Sequence, residues 1–367
     1  MDNQTSSLWQ HYVQTALCHV PQNGVSGHTT WRSPSNIAIV KYWGKHGNQL
    51  PNNPSLSFTL QEAFTETRIA WEPSVGLSVD FWFEGAGNKP FGDKILKLLH
   101  AFMPAFPFLD SLRLTIESRN SFPHSSGIAS SASSMSALVM GLLDIERQLG
   151  AEGVSENEQL RKASFFSRLA SGSAARSVFP TAALWGKSPF LAESHDEYAV
   201  EVDRIDPVFK NFRDTILIIS AGTKAVSSRA GHALMESNPF AGERYRQADK
   251  NIGELLRALY NADLEAFVSI TEAEALQLHA LMMTSEPSFI LMRPNTLEAI
   301  ARIRAFRNDT GIPLCFTLDA GPNVHLLYPD AYRPAVADFV AQSLQSLCQD
   351  GRIIEDHVGT GPERIIP

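Results

Sequence analysis

The stretch with the most chemistry in it is Ser121-Phe-Pro-His-Ser-Ser-Gly-Ile-Ala-Ser-Ser-Ala132, which runs into an apolar helical pattern over residues 135–143. Small residues leave backbone N–H groups uncovered, and the positive end of the following helix adds to them, so loop and helix together form an anion cradle. Gly127 lets the backbone approach a ligand, Ser130 and Ser131 offer hydroxyls to phosphate oxygens or magnesium, and Pro123 stiffens the entry. The same letters also suit a capped helix after a serine-rich turn, and the segment alone leaves both readings open.

Other small-residue turns carry charge. Lys41 and Lys45 follow the apolar run Asn36-Ile-Ala-Ile-Val-Lys-Tyr-Trp43. Ser171, Ser173 and Arg176 lie in Ala170-Ser-Gly-Ser-Ala-Ala-Arg-Ser177, a third turn brings Ser227, Ser228 and Arg229, and Asp319 stands in Asp319-Ala-Gly-Pro-Asn323. Arginine forks match phosphate or carboxylate, lysines act as point charges, and neighbouring serines complete an oxyanion shell. Singly each is ordinary, since a lysine after a buried strand usually keeps its head in solvent. In one chain with a phosphate loop they point to a polyphosphate site.

Two familiar nucleotide signatures are absent. Gly186-Lys187-Ser188 has Thr181 where a Walker A loop needs its first glycine, and Gly85-Ala-Gly87 has Pro90 where the dinucleotide fingerprint needs its third. No Ser/His/Asp set and no metal-ligand spacing stands out, which leaves the histidines as structural residues.

With 367 residues the chain is long enough for two lobes. Its net charge of -8, without a long basic run, argues against nucleic acid as a partner. Three scattered cysteines fit a reducing compartment, and no secretory leader or 18-residue apolar run is visible. The expectation is a cytoplasmic, non-membrane protein with a polar, mobile N-terminal extension over 1–30, a first domain over 31–210 and a second over 211–367.

Pattern and β-branched content predict strands at 36–43, 57–60, 65–71, 77–83, 111–118, 215–220, 314–318 and 324–328, with 65–71 and 77–83 as an antiparallel pair and 181–185 as an apolar segment. Helical spacing predicts helices at 7–17, 94–102, 134–149, 157–169, 241–260, 264–283, 296–307 and 332–347.

Pro123-x-x-x-Gly127-Ile-Ala-Ser-Ser-Ala132 resembles the phosphate loop of the GHMP kinase superfamily. Together with Ser35-Asn-Ile-Ala-Ile-Val-Lys-Tyr-Trp-Gly-Lys45, the 170–177 turn and the 319–323 turn, it is similar to the mevalonate diphosphate decarboxylase family, in family order from residue 33 to 328. The resemblance implies an α+β, two-lobed fold, with a ribosomal protein S5 domain 2-like N-terminal lobe and a ferredoxin-like C-terminal lobe. It implies ATP- and Mg²⁺-dependent phosphorylation of the 3-hydroxyl of mevalonate 5-diphosphate, then loss of that phosphate with CO2 to give isopentenyl diphosphate. Asp319, Lys41 and Arg176 would be catalytic. Tyr42, Lys45, Ser171, Ser173, Arg176, Ser228 and Arg229 would bind substrate; Pro123, Ser126, Gly127, Ala129, Ser130 and Ser131 would bind ATP, with Ser131 near the magnesium. Many relatives are homodimers. The resemblance leaves open a monophosphate substrate, a kinase that does not eliminate, and a binding protein without turnover. His124-Ser125-Ser126 departs from the family's small residues and threonine.

Overall fold

A computed structural model of the chain describes residues 6–17, 26–123, 128–151, 153–222 and 228–366, excluding the side chains of 228 and 229. Two long strands, Gly27–Val40 and Ser55–Pro73, run antiparallel through an eight-stranded sheet. Their exposure changes along their length. Residues 61–73 of the second strand show several exposed positions among buried ones, as in a sheet wetted on one face, whereas 33–40 and 55–60 are buried throughout. The buried runs mark where the second lobe covers the sheet: Ile37, Val40, Leu56 and Phe58 share a core with Ile216, Ile252, Leu255 and Phe267.

The sheet order is Glu363–Arg364, Gly27–Val40, Ser55–Pro73, Leu112–Asn120, Ser78–Phe83, Ala86–Gly87, with Ala182–Trp185 and Ala199–Glu201 on a branch. Ser78–Phe83 is therefore not the antiparallel neighbour of 65–71. Leu112–Asn120 lies between them, and Ser78–Phe83 runs parallel to it after a return through the helix Lys89–Phe102. Alternation reports which face is wet and carries no record of the partner strand.

The helices Lys89–Phe102, Ser130–Gln148 and Glu156–Ala170 bury Leu99, Leu138, Leu142 and Phe166 against Ile69, Leu114 and Ile116. The first helix, Ser7–Gln14, joins the same core. Ser6 caps it by accepting the Trp9 N–H, and the buried rings of Trp9 and Tyr12 pack on Phe165 and Phe166. Residues 6–17 are thus a packed part of the first lobe, not a mobile extension, because two large aromatic side chains outweigh the polar positions around them.

In the second lobe, Phe212–Leu217, Cys315–Thr317, Val324–Pro329 and Ile353–His357 form an antiparallel sheet with Val324–Pro329 and Phe212–Leu217 at its centre. Helices Ala241–Asn261, Leu264–Met283 and Pro294–Thr310 lie between the first and second strands in sequence, and Arg333–Phe339 between the third and fourth. This is the β-α-β-β-α-β order of a ferredoxin-like unit. The helix expected over 332–347 stops at Phe339 and continues as a π turn, Val340–Leu344. Asp356 staples the lobes: its Oδ1 accepts the Gln61 and Glu62 N–H groups at 2.9 and 2.8 Å, and its Oδ2 the Ala63 N–H at 2.7 Å. Among the described residues no helix is long and apolar enough to cross a membrane.

Candidate active site between the lobes

Lys41 follows the strand Gly27–Val40 at the point where both faces are covered, and it is 1% exposed. Its Nζ donates to the Ala38 carbonyl at 2.6 Å and to Asp319 Oδ1 at 3.2 Å. The head is therefore not in solvent, as a lysine after a strand would usually be. Burial pulls its pKa down, while Asp319 and then Glu274 oppose that pull.

Asp319 sits in the turn between Cys315–Thr317 and Val324–Pro329. That turn is fixed from several sides. The Asp319 carbonyl accepts the Gly321 N–H at 2.7 Å and faces His279 Nε2 at 3.1 Å. Burial pushes His279 down to about 4, so the ring is neutral at pH 7 and the nitrogen facing the carbonyl is the protonated one. Thr296 donates to the Pro322 carbonyl at 2.7 Å, and Asn323 Oδ1 accepts the Ser220 N–H at 2.9 Å.

The main chain of Lys41 is held as firmly. Glu274 Oε2 accepts its N–H at 2.9 Å, and Arg244 and Asn53 donate to its carbonyl at 3.3 and 3.0 Å. Glu274 is also gripped by Arg244 through two bonds, 3.1 and 2.6 Å, and by Asn251 at 2.5 Å. Sequence reasoning missed this cluster. The available signal was a base and an amide on the buried face of an amphipathic helix, and an acid in the largely apolar helix that follows it.

Arg176, 2% exposed, lies in the short 3₁₀ turn Gly172–Arg176. Its Nε donates to Ser57 Oγ at 3.0 Å, one terminal nitrogen to Ser55 Oγ, and the other to Asn36 Oδ1 at 3.4 Å. These bonds do not exhaust the donors of the fork. Asn36 in turn donates to Ser177 Oγ at 2.7 Å and to the Ser173 carbonyl at 3.2 Å. Burial lowers the Arg176 pKa to about 10, with Asp319 and Tyr42 opposing, so it stays charged at neutral pH. Ser55 and Ser57 were also missed; their two-residue spacing places both on one face of the strand.

The remaining expected residues gather around this pair, with exceptions. Ser171 Oγ donates to Ser131 Oγ at 3.4 Å, joining the second turn to the helix behind the phosphate loop. The Tyr42 ring packs on Trp185 and His232 at 4.6 and 4.3 Å, and its buried hydroxyl has no hydrogen-bond partner among the described residues. Lys45 Nζ donates to Gln49 at 2.6 Å. The helix Ser228–Ala233 reaches the same loop through His232, whose Nδ1 accepts the Gly44 N–H at 2.9 Å, but the side chains of Ser228 and Arg229 lie outside the described residues. Burial takes His232 down to about 3, which keeps that acceptor free. Gly44 is required here: its φ is +93°, and a Cβ would strike the Tyr245 hydroxyl.

In the phosphate loop, Ser126 and Gly127 lie outside the described residues, while Pro123 and Ala129 flank them half-buried. The helix Ser130–Gln148 starts after Ala129 without a side-chain cap, and Ser131 is exposed on its first turn. An uncapped first turn beside hydroxyls is a site for an anion. No group of three His, Cys, Asp or Glu that could cage a metal occurs among the described residues. The donors present, the Ser131 hydroxyl and the Asp319 carboxylate, suit a magnesium ion held mostly by polyphosphate oxygens and water.

Residues 33–196 match the family model for a diphosphomevalonate decarboxylase-like N-terminal domain, and residues 215–363 match the mevalonate 5-diphosphate decarboxylase C-terminal domain. The chain belongs to the diphosphomevalonate decarboxylase family. Its curated relatives include the diphosphomevalonate decarboxylase of Candida albicans, 26% identical over 90% of this chain and 96% of that protein. Among solved structures, mevalonate diphosphate decarboxylase from Staphylococcus aureus is 27% identical with a TM-score of 0.80, covering 95% of this chain and all of that one. MDDEF, solved in complex with MVAPP, AMPPCP and magnesium, is 28% identical with a TM-score of 0.78, covering 93% and 99%. The two-lobed GHMP kinase architecture is shared with these structures. The helix Ser7–Gln14 precedes the matched family region.

Proposed function

We propose that the protein catalyses ATP-dependent decarboxylation of mevalonate 5-diphosphate to isopentenyl diphosphate, with ADP, phosphate and CO2 as the other products. One observation carries this reading: a buried lysine from one lobe and an aspartate from the other meet at 3.2 Å beside a buried arginine. The family match and the ligands of MDDEF support it.

A tertiary hydroxyl is a weak nucleophile and, unmodified, a poor leaving group. Asp319 orients the 3-hydroxyl and accepts its proton as the oxygen bonds to the γ-phosphorus of ATP. Lys41 keeps Asp319 ionised and offsets charge developing at the transferred group. Magnesium, when bound, would neutralise phosphate charge with the Ser131 hydroxyl beside it, while the first turn of Ser130–Gln148 would face the phosphate oxygens. Arg176 supplies a fixed cation for the substrate's carboxylate or diphosphate, with Tyr42, Lys45, Ser171, Ser173, Ser228 and Arg229 as further substrate contacts. Pro123, Ser126, Gly127, Ala129 and Ser130 form the ATP loop. In the second step the C–O bond to the new phosphate breaks, and the electrons of the bond to the carboxyl carbon form the double bond as CO2 leaves.

The test is a product assay with ATP, Mg²⁺ and mevalonate 5-diphosphate labelled at the carboxyl carbon. CO2 should track ADP one for one, and Asp319→Asn should lower turnover by about 10²–10⁴-fold. ADP without CO2 would make the protein a kinase instead. The protein is also read as a cytoplasmic homodimer with lobes divided near residue 210; sedimentation, fractionation and limited proteolysis test these points.

A further inference from the structure

Lys41 and Asp319 reach each other from different lobes, so their separation depends on something that touches both. One helix does. Leu264–Met283 contributes Glu274, fully buried, to the Lys41 N–H at 2.9 Å, and His279, 2% exposed, to the Asp319 carbonyl at 3.1 Å. The two residues are five positions apart, a rise of about 7.5 Å along a helix axis. An α-helix is stiff over that length, so the two main-chain anchors cannot drift independently.

The anchors are themselves braced. Glu274 is locked by Arg244 and Asn251 from the helix Ala241–Asn261, and Arg244 also donates to the Lys41 carbonyl. Thus both polar groups of the Lys41 peptide are bonded to second-lobe side chains. The hydrogen bonds of Glu274 and His279 go to the main chain of Lys41 and Asp319, and the Glu274 charge also raises the pKa of the Lys41 ammonium.

We propose that Glu274 and His279 are positioning residues that set the distance between Lys41 and Asp319 through one shared helix. This rests on the decarboxylase reading above, because it assigns them an effect on that reaction. Catalytic groups displaced by about 1 Å lose rate steeply while ground-state binding changes little.

The experiment measures kcat and KM for both substrates in wild type, Glu274→Gln, His279→Leu and His279→Gln, each checked for a native circular dichroism spectrum and cooperative melting. His279→Leu should lose at least about tenfold in kcat with KM changed less than about twofold, and His279→Gln, which keeps an N–H donor, should recover most of that loss. Glu274→Gln should show the same split. Removing a buried charge beside Arg244 could unfold that variant, in which case the two His279 variants decide. Folded His279→Leu with wild-type kcat, a loss confined to KM, or no recovery in His279→Gln would overturn the proposal. Absence of CO2 release by wild type would instead remove the decarboxylase reading, so the two failures are distinct.

Discussion

Two regions of the molecule build charge pairs from residues distant in sequence, with opposite consequences. On the open face of the large sheet, Glu363, Arg32, Glu66 and Arg119 lie in register across four strands and alternate in sign. Arg32–Glu66 and Arg119–Glu66 close at 3.2 and 2.6 Å, and Arg68–Glu117 at 3.2 Å. Between the lobes, Lys41–Asp319 and Arg244–Glu274 close at 3.2 and 2.6 Å. The distances overlap; the burial of most members differs, although Glu66 at 15% is less exposed than Asp319 at 25%. Lys41, Arg244 and Glu274 side chains are at most 3% exposed, whereas those of Arg68 and Glu117 are 44% and 53% exposed. Water screens the exposed pairs of the ladder, so they contribute little. Burial makes the inter-lobe charges depend on one another, and that dependence is what a reaction can use.

The contrast breaks most easily at Lys41. Lys41→Met should reduce turnover by about 10²–10⁴-fold in steady-state assays, with the folded fraction unchanged by circular dichroism. A loss below about tenfold would mean that the buried pair does no more than the ladder.

Acid tests the same difference through stability. His232 and His279 have folded pKa values pushed to about 3 and 4, below the ordinary 6.5. Unfolding therefore takes up protons between those limits, and the stability these groups hold above pH 6.5 is lost as pH falls. Each contributes a slope of at most about 1.4 kcal/mol per pH unit. Urea unfolding at pH 7 and pH 5 should show a smaller acid loss in His279→Gln than in wild type; an identical loss would mean that His279 is not buried as a neutral ring.

The smallest effect belongs to the ladder. Arg68→Ala should change unfolding stability by less than about 1 kcal/mol and leave kcat untouched. A larger change would place the open face among the structure's real supports.

Much of this was legible in the residues. The helices 241–260 and 264–283 were read to within a residue or so, the first from its long amphipathic period and the second from a long run of good helix formers without Gly or Pro. Lys41, Arg176 and Asp319 stood out by motif. Strand partners did not: Ser78–Phe83 alternates the same way whether its neighbour is 65–71 or 112–120. The strand Ile353–His357 went unseen because its pairing, not its composition, makes it a strand. Trp9 and Tyr12 read as part of a polar tail until Phe165 and Phe166 gave them a surface to cover.

By itself the sequence determined the local elements, the small-residue turns and the residue types available for phosphate chemistry, since these follow from short-range sterics and side-chain chemistry. Only the tertiary structure decided which charges are buried, that Asn36, Ser55 and Ser57 pin Arg176, and that one helix touches the chain on both sides of the Lys41–Asp319 pair. Those are matters of distance between residues far apart in the chain, and no local period encodes them.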